Sequence, residues 1–97
     1  MKVKTLSGIK CEIDERILDD WRFLKALKKA DHKNDQSEAI TGTVELVEIV
    51  FGKSEDAIME SIAKKNNGYI PQDAIRDELL NVIEQVKELK NSQSSQG

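Results

Sequence analysis

The sequence predicts a mainly α fold: a compact four-helix domain preceded by a short N-terminal β-hairpin. Apolar residues recur every three or four positions over most of the chain, which is typical of amphipathic helices, and alternate with polar residues only near the N-terminus. A chain of 97 residues is long enough for one modest core and too short for two. We therefore expect a single domain at residues 1–90, with the hairpin at 3–13 and the helices at 14–90, followed by a flexible polar tail at 91–97.

The hairpin is predicted from alternating apolar and polar positions on both sides of Ser7-Gly8. Glycine supplies the positive φ angle that a tight turn between two strands requires. Cys11 lies in the second arm and is the only cysteine, so no internal disulfide can form, and we expect a small buried thiol. Asp14 follows directly and is the predicted N-cap of the first helix, because its carboxylate can accept the unpaired N–H groups of the first turn.

The first helix carries the only tryptophan of the chain and one of its two phenylalanines. At about 100° per residue, Ile17, Trp21 and Leu24 share one face, which we expect to point into the core. Phe23 lies well off this stripe, in line with Ala26 and Ala30. A polar stretch without periodicity follows the helix and predicts an exposed connection.

The second helix is predicted to begin at Gln36 or Ser37 and to end at Phe51, with Gly52 as its C-cap. One of its faces carries four apolar residues, Ile40, Val44, Val47 and Phe51. Further apolar residues occupy the other faces, so we expect this helix in the middle of the fold. Gly42 lowers its intrinsic helix propensity, and packing against neighbours must therefore stabilise it.

The third helix is predicted to start after Ser54, which can cap it, with two acidic residues at the positive end of the helix dipole. Its expected buried side consists of Ile58, Met59, Ile62 and Ala63. Asn66-Asn67-Gly68 ends the helix, since these residues tolerate left-handed backbone geometry.

The fourth helix is predicted over residues 71–90, and its apolar stripe is the most regular of the chain. Pro71 suits a first helical position, where the missing N–H is not needed. The stripe consists of Ile75, Leu79, Val82, Val86 and Leu89. Leu80 falls outside it.

The sequence predicts no enzyme, no cofactor and no metal site. Gly52-Lys53-Ser54 imitates the end of a phosphate-binding loop, but Val47 stands where that loop needs a glycine. His32 is the only histidine, so neither a histidine metal site nor a histidine acid–base pair can be built from two imidazoles. The paired carboxylates of Asp19-Asp20, and of Asp73 with Asp77, stand beside arginine or lysine and are expected on a solvated face.

Nucleic acid and membrane are also unexpected partners. The second and third helices could form a helix-turn-helix, but Glu55, Asp56 and Glu60 would then face the phosphates, and the net charge of the chain is −3. No apolar run approaches the roughly 18 residues of a membrane span, and the N-terminus lacks the apolar region of a signal peptide. We therefore expect the protein to act in a cytoplasm.

The order of these elements resembles one protein family, the tail assembly chaperones of long-tailed bacteriophages, which are encoded just before the tape measure protein. The resemblance covers most of the chain and lies in the order and spacing of short segments: Ile13-Asp14-Glu15, Leu18-Asp19-Asp20-Trp21-Arg22-Phe23-Leu24-Lys25-Ala26-Leu27, Val50-Phe51-Gly52, Asn67-Gly68-Tyr69-Ile70-Pro71 and Leu89-Lys90-Asn91-Ser92.

The resemblance implies a non-catalytic protein that binds the tape measure protein and keeps that long helical chain soluble until tail tube subunits polymerise around it. The tail tube protein is then a second expected partner. The resemblance also implies action in the cytoplasm of the bacterial host and absence from the mature virion. The alternative reading is a small helical regulator from a phage or bacterium, with a helix-turn-helix that binds DNA.

Three apolar residues are candidate partner contacts because the second helix already supplies a nearly all-round apolar centre. Phe23, Tyr69 and Leu80 are therefore expected at the surface, where an apolar patch indicates a partner. A compact bundle that bends enough would bury them instead. Self-association into a homo-oligomer, through the same patch or through the free edge of the hairpin, is equally compatible with the pattern.

Overall fold

The computed structural model describes residues 1–94 and confirms the predicted fold class, a mainly helical domain behind an N-terminal hairpin. The hairpin strands are β1 (Lys2–Lys4) and β2 (Lys10–Glu12). The α-helices are α1 (Trp21–Ala30), α2 (Gln36–Phe51), α3 (Glu55–Lys65) and α4 (Gln72–Ser94). A 3₁₀ turn at Gly52–Ser54 joins α2 to α3 without an intervening loop.

The hairpin is antiparallel, with Val3 opposite Cys11. Gly8 has φ +88° in its turn, as the prediction required. Val3, Cys11 and Ile13 point into the core, and the thiol of Cys11 is buried as expected. Thr5 N–H donates to the carbonyl of Ile9 at 2.9 Å, which closes the end of the ladder.

A buried carboxylate on α4 holds the hairpin turn. Glu78 accepts hydrogen bonds from the backbone N–H of Leu6 at 2.5 Å, and from the N–H and hydroxyl of Ser7 at 3.1 and 2.5 Å. Across the described residues the two backbone N–H groups have no backbone acceptor, and the Ser7 hydroxyl also lies 2.9 Å from that of Thr5, so the carboxylate completes the hydrogen bonding of the turn. The contact joins parts of the chain more than seventy residues apart.

A second side chain of α4, that of Gln85, forms hydrogen bonds with β1. The carboxamide of Gln85 donates to the carbonyl of Lys4 at 2.7 Å and accepts from its N–H at 3.4 Å, as a neighbouring strand would do. Gln85 follows Glu78 by seven residues, two helical turns, and therefore lies on the same face. Part of the outer edge of β1 is thus occupied within the chain, which leaves less of the hairpin edge for self-association.

We predict that Glu78→Ala lowers the free energy of unfolding by about 2 kcal/mol, because three donors lose a charged acceptor. Glu84→Ala is the matched control: Glu84 is exposed on the same helix and forms a surface ion pair with Lys87, so a change below about 0.5 kcal/mol is expected. Urea unfolding followed by circular dichroism measures both. Equal effects of the two substitutions would contradict this role of Glu78.

The first helix starts later than predicted. Asp14 does not cap it; its carboxylate accepts from Arg16 N–H at 2.9 Å, and a short 3₁₀ turn follows at Ile17–Asp19. Asp20 then adopts an extended conformation (φ −76°, ψ 130°) and caps α1, since its carboxylate accepts from the N–H of Arg22. The extended residue interrupts the helical phase between Ile17 and Trp21, so the expected stripe through both does not exist.

This shift reverses the expected roles of the two aromatic residues. Phe23 is 3% exposed and belongs to the core, whereas Trp21 is 73% exposed. The inward stripe of α1 runs through Phe23, Ala26 and Ala30, which is the line that the sequence pattern placed off the apolar face. The expectation that Phe23 remains at the surface is therefore wrong, and so is the core position of Trp21.

Small residues decide which side of α1 packs inward. A Cβ atom added to Gly42 of α2 would lie 2.3 Å from the backbone nitrogen of Ala30, and 2.7 Å from the carbonyl oxygen of Ala26 and the carbonyl carbon of Lys29. Such separations are far below van der Waals contact, and all three atoms belong to backbone that cannot rotate away. Gly42 thus lowers the helix propensity of α2 and in return allows α1 to lie directly against it.

We predict that Gly42→Ala lowers the free energy of unfolding by about 2 kcal/mol, because the two helices must separate. In an open helix the same substitution would stabilise by up to about 1 kcal/mol, so the sign of the effect tests the contact. Thr41→Ala, at the exposed neighbouring position, should change stability by less than about 0.5 kcal/mol. Thermal unfolding that shows Gly42→Ala to be stabilising would contradict the packing.

The remaining helix boundaries agree with the prediction except at two points. Gly52 ends α2 with φ +50°, and Asn67 and Gly68 follow α3 with φ +56° and +88°. Ser54 makes no capping hydrogen bond through its side chain, contrary to expectation. The helix α4 continues to Ser94, so the predicted tail begins inside it, and residues 95–97 of that tail lie outside the described part of the chain.

The core lies between α2, α3, α4 and the inner face of the hairpin. Its buried apolar residues are Val3, Cys11, Ile13, Phe23, Ala26, Leu46, Val47, Val50, Phe51, Ile58, Ile62, Leu79, Val82, Ile83 and Val86. On α2 the members from Leu46 onward occupy its C-terminal half. The N-terminal half of α2 packs on α1 through Gly42 and leaves other faces uncovered.

Candidate partner-binding surface

An apolar groove of about 360 Å³ opens where α2, α3 and the start of α4 meet. It is lined by Ile40, Thr43, Val44, Val47, Glu55, Met59, Ile70, Gln72, Ile75 and Arg76. Its floor is aliphatic, and its charged members, Glu55 and Arg76, come from different helices. We call these ten residues the α2–α4 groove.

Three side chains of the groove are unusually exposed for their size and character. Ile40, Val44 and Ile70 are 46%, 51% and 39% exposed, and Ile40 and Val44 are one helical turn apart on α2. The cover that α3 and α4 give to α2 ends before this turn. Scattered apolar residues are normal at a surface, but a contiguous set around a concavity indicates an interaction site.

The segment before α4 contributes Ile70 because the chain must turn sharply there. The positive φ angles of Asn67 and Gly68 reverse the direction of the backbone after α3, and Tyr69 N–H donates to the carbonyl of Asn66 at 3.1 Å. Pro71 directly precedes α4, and its carbonyl accepts from the N–H of Ala74 at 3.2 Å. The apolar pair at positions 69 and 70 is thereby left at the surface beside α2.

The three residues predicted from the sequence to contact a partner differ in exposure and position. Tyr69 is exposed and directly precedes Ile70 of the groove, although it does not line the groove itself. Leu80 is exposed on α4 but also lies outside the groove lining. Phe23 is buried against α2 and is not available to a partner in the folded chain. The structure therefore does not bring the three together.

Sequence reasoning missed the aliphatic residues that form the groove. Ile40 and Val44 share a helical face with the buried Val47 and Phe51, and were expected to share their burial as well. The signal that could have found them is the large apolar surface of α2, which carries apolar residues on nearly all of its faces. Such a surface indicates an exposed patch without saying which end of α2 carries it.

Two arginine–aspartate pairs dominate the electrostatics near the start of α1. Arg16 bonds both carboxylate oxygens of Asp14 at 3.1 and 2.8 Å, and Arg22 bonds those of Asp20 at 3.1 and 2.9 Å. Hydrogen bonds from the arginine side chain, and then from its backbone N–H, lower the pKa of each carboxyl from 3.8 to about 2. These carboxylates are therefore neutralised locally and are poorly suited to proton transfer.

We predict that the carboxyl carbon of Asp20 titrates in NMR with a pKa near 2. Because the folded pKa is depressed, the stabilising contribution of Asp20 is complete above its ordinary pKa and is lost as the pH falls towards about 2. Arg22→Gln should move this pKa back towards 3.8. Arg16→Gln should change the pKa of Asp20 less than Arg22→Gln does and should mainly shift that of Asp14. A normal pKa for Asp20 in the native chain would contradict the pairing.

Within residues 1–94 no group of three or more histidine, cysteine, aspartate or glutamate side chains is placed to hold a metal ion. Across the same residues, no helix combines the length and apolar character needed to cross a membrane.

The α2–α3 connection also bears on the helix-turn-helix alternative. The two helices are joined by the 3₁₀ turn at Gly52–Ser54, but the first two turns of α3 expose Asp56 and Glu60. An acidic helix start repels phosphate, so this helix is poorly suited to reading a DNA groove.

Comparisons with known proteins leave the family of the chain open. No protein-family model matches it, and neither a curated protein nor a solved structure does so. Function must therefore be argued from the surface of the molecule and from the order of its elements.

Proposed function

We propose that this protein is a tail assembly chaperone of a long-tailed bacteriophage, which binds the tape measure protein and keeps it soluble during tail assembly. The observation that carries the proposal is the α2–α4 groove, an exposed aliphatic concavity with a polar rim. Such grooves accept the apolar face of an amphipathic helix, through side chains spaced three or four residues apart. A tape measure protein consists largely of such helices.

The volume of the groove limits what can enter it. About 360 Å³ is enough for individual side chains of a bound helix and too small for the helix itself. The contact that we propose is therefore made by the apolar side chains on one face of a tape measure helix.

The order of the elements also supports the proposal. An N-terminal hairpin, an aromatic first helix, a largely apolar second helix that ends at Val50-Phe51-Gly52, and a long terminal helix follow one another as in the resembled family. The protein would act without catalysis in the host cytoplasm and be absent from the mature virion. The acidic start of α3 disfavours the alternative of a DNA-binding regulator.

We predict that co-expression with a fragment of the tape measure protein raises the soluble yield of that fragment, and that Val44→Asp abolishes the gain. The substitution places a charge in the aliphatic groove, where it has no partner and opposes an apolar occupant. Thr41→Asp is the matched control, because Thr41 is exposed on the same helix and does not line the groove. Soluble fragment is quantified after separation of the lysate by centrifugation.

Two results would contradict the proposal. One is an unchanged yield of soluble fragment together with salt-dependent binding of the protein to DNA, which favours the regulator. The other is equal activity of the Val44→Asp and Thr41→Asp variants, which removes the groove from the function. A reading frame for a very long helical protein directly downstream of the gene is a further expectation, and its absence weighs against the proposal.

A further inference from the structure

The outer face of α1 combines exposed apolar groups with unpaired positive charge. Trp21, Leu24, Lys25, Lys28, Lys29, His32 and Glu38 line a shallow trough of about 530 Å³ on this side of the molecule. Trp21 and Leu24 are both exposed. None of the seven residues lines the α2–α4 groove, so the two surfaces are separate.

The charge of α1 is opposite to that of its surroundings. Residues 21–30 contain four basic residues and no acidic one, whereas the whole chain carries −3, so the residues outside α1 carry −7. Two of the four cations are engaged: Arg22 pairs with Asp20 at 2.9 Å, and Lys29 with Glu45 at 2.9 Å. In the part of the chain that the structure describes, Lys25 and Lys28 have no such partner.

Carboxylates also lie near the trough. Glu38, from the start of α2, lines it and lies 3.7 Å from the imidazole of His32. Glu45 and Glu48 of α2 line a neighbouring depression together with Lys25. Among the described residues none of these carboxylates forms an ion pair with Lys25 or Lys28, so both ammonium groups are available to a partner.

We propose that this face of α1 binds an acidic segment of a partner protein, with carboxylates against Lys25 and Lys28 and an apolar side chain against Trp21 and Leu24. Charge complementarity selects the acid, and the exposed indole supplies the apolar and cation-tolerant contact that is common at protein interfaces. The inference does not depend on what occupies the α2–α4 groove.

A protein segment fits this face better than a membrane or a nucleic acid. The apolar stripe of α1 is used against α2, so only Trp21 and Leu24 remain to enter a lipid surface. A nucleic acid extends well beyond the roughly 15 Å of a ten-residue helix and would meet the negative charge around α1. A short acidic segment of a protein can cover the basic face without needing a larger apolar surface and without reaching the negative charge around α1.

Trp21 is the only tryptophan of the chain and reports binding at its own site. The probe is a synthetic helical peptide without tryptophan, in which glutamates flank a leucine and a phenylalanine. A second peptide has lysine in place of each glutamate. We expect the acidic peptide to shift the emission of Trp21 to shorter wavelength, with an affinity that falls as salt is added. The basic peptide should have no effect.

The double variant Lys25→Glu and Lys28→Glu should bind the acidic peptide at least about tenfold more weakly. Lys64→Glu with Lys65→Glu changes the net charge equally at exposed positions on α3 and should alter the affinity less than about twofold. A pair of lysine-to-glutamine substitutions at 25 and 28 should give an intermediate loss, and it provides the test if the charge-reversed protein does not fold by circular dichroism.

The inference is overturned if the acidic peptide leaves the emission unchanged, if the basic peptide binds as tightly, or if charge reversal on α1 and on α3 has the same effect. Vesicles of phosphatidylcholine with phosphatidylglycerol, and a single-stranded oligothymidylate, are titrated in parallel. Tighter binding of either one than of the acidic peptide would assign the face to a lipid surface or a nucleic acid instead. None of these results bears on the solubility of a tape measure fragment, so the two proposals fail separately.

Discussion

The close contact of Gly42 with the backbone of α1 is the constraint on which the rest of the structure depends. Without a side chain at this position, α1 lies directly on α2, and the stripe through Phe23 and Ala26 becomes its inner face. The opposite face, with Trp21, Lys25 and Lys28, is then exposed to solvent. The same contact leaves α3 and α4 to cover only the C-terminal half of α2. Both candidate binding surfaces therefore follow from the absence of one methyl group.

Most of the fold could be predicted from the sequence because its signals are local. The hairpin turn at Ser7-Gly8 and the helix end at Gly52 follow from backbone preferences of glycine. The start of α1 could not be predicted, because Asp14 and Asp20 are both suitable N-cap residues. Each also accepts a hydrogen bond from an arginine two residues later. In the structure Asp20 is the cap, and the helix that it starts packs against Gly42. The predicted cap lay six residues too early. The predicted helix therefore had the wrong face inward, with Trp21 in the core and Phe23 at the surface.

The candidate surfaces were less accessible to sequence reasoning, since they join residues that are distant along the chain. The exposure of Tyr69 and Leu80 was expected and is observed, but the α2–α4 groove lies beside them and is made of other residues. Periodicity assigns a residue to a face of a helix and does not say how far the neighbouring helices extend along it. The hydrogen bonds from Glu78 and Gln85 of α4 to the hairpin were missed for the same reason, because they join residues more than seventy positions apart.

In this structure α1 turns Phe23 inward and presents Trp21 to solvent beside Lys25 and Lys28. Fluorescence quenching of the native protein tests it directly, because Trp21 is the only source of tryptophan emission. We expect emission at the wavelength of free tryptophan in water. We also expect a ratio of iodide to caesium quenching constants above the ratio for free tryptophan at the same ionic strength, since Lys25 and Lys28 attract the anion. Emission at shorter wavelength that neither ion quenches until the protein unfolds would contradict this arrangement of α1.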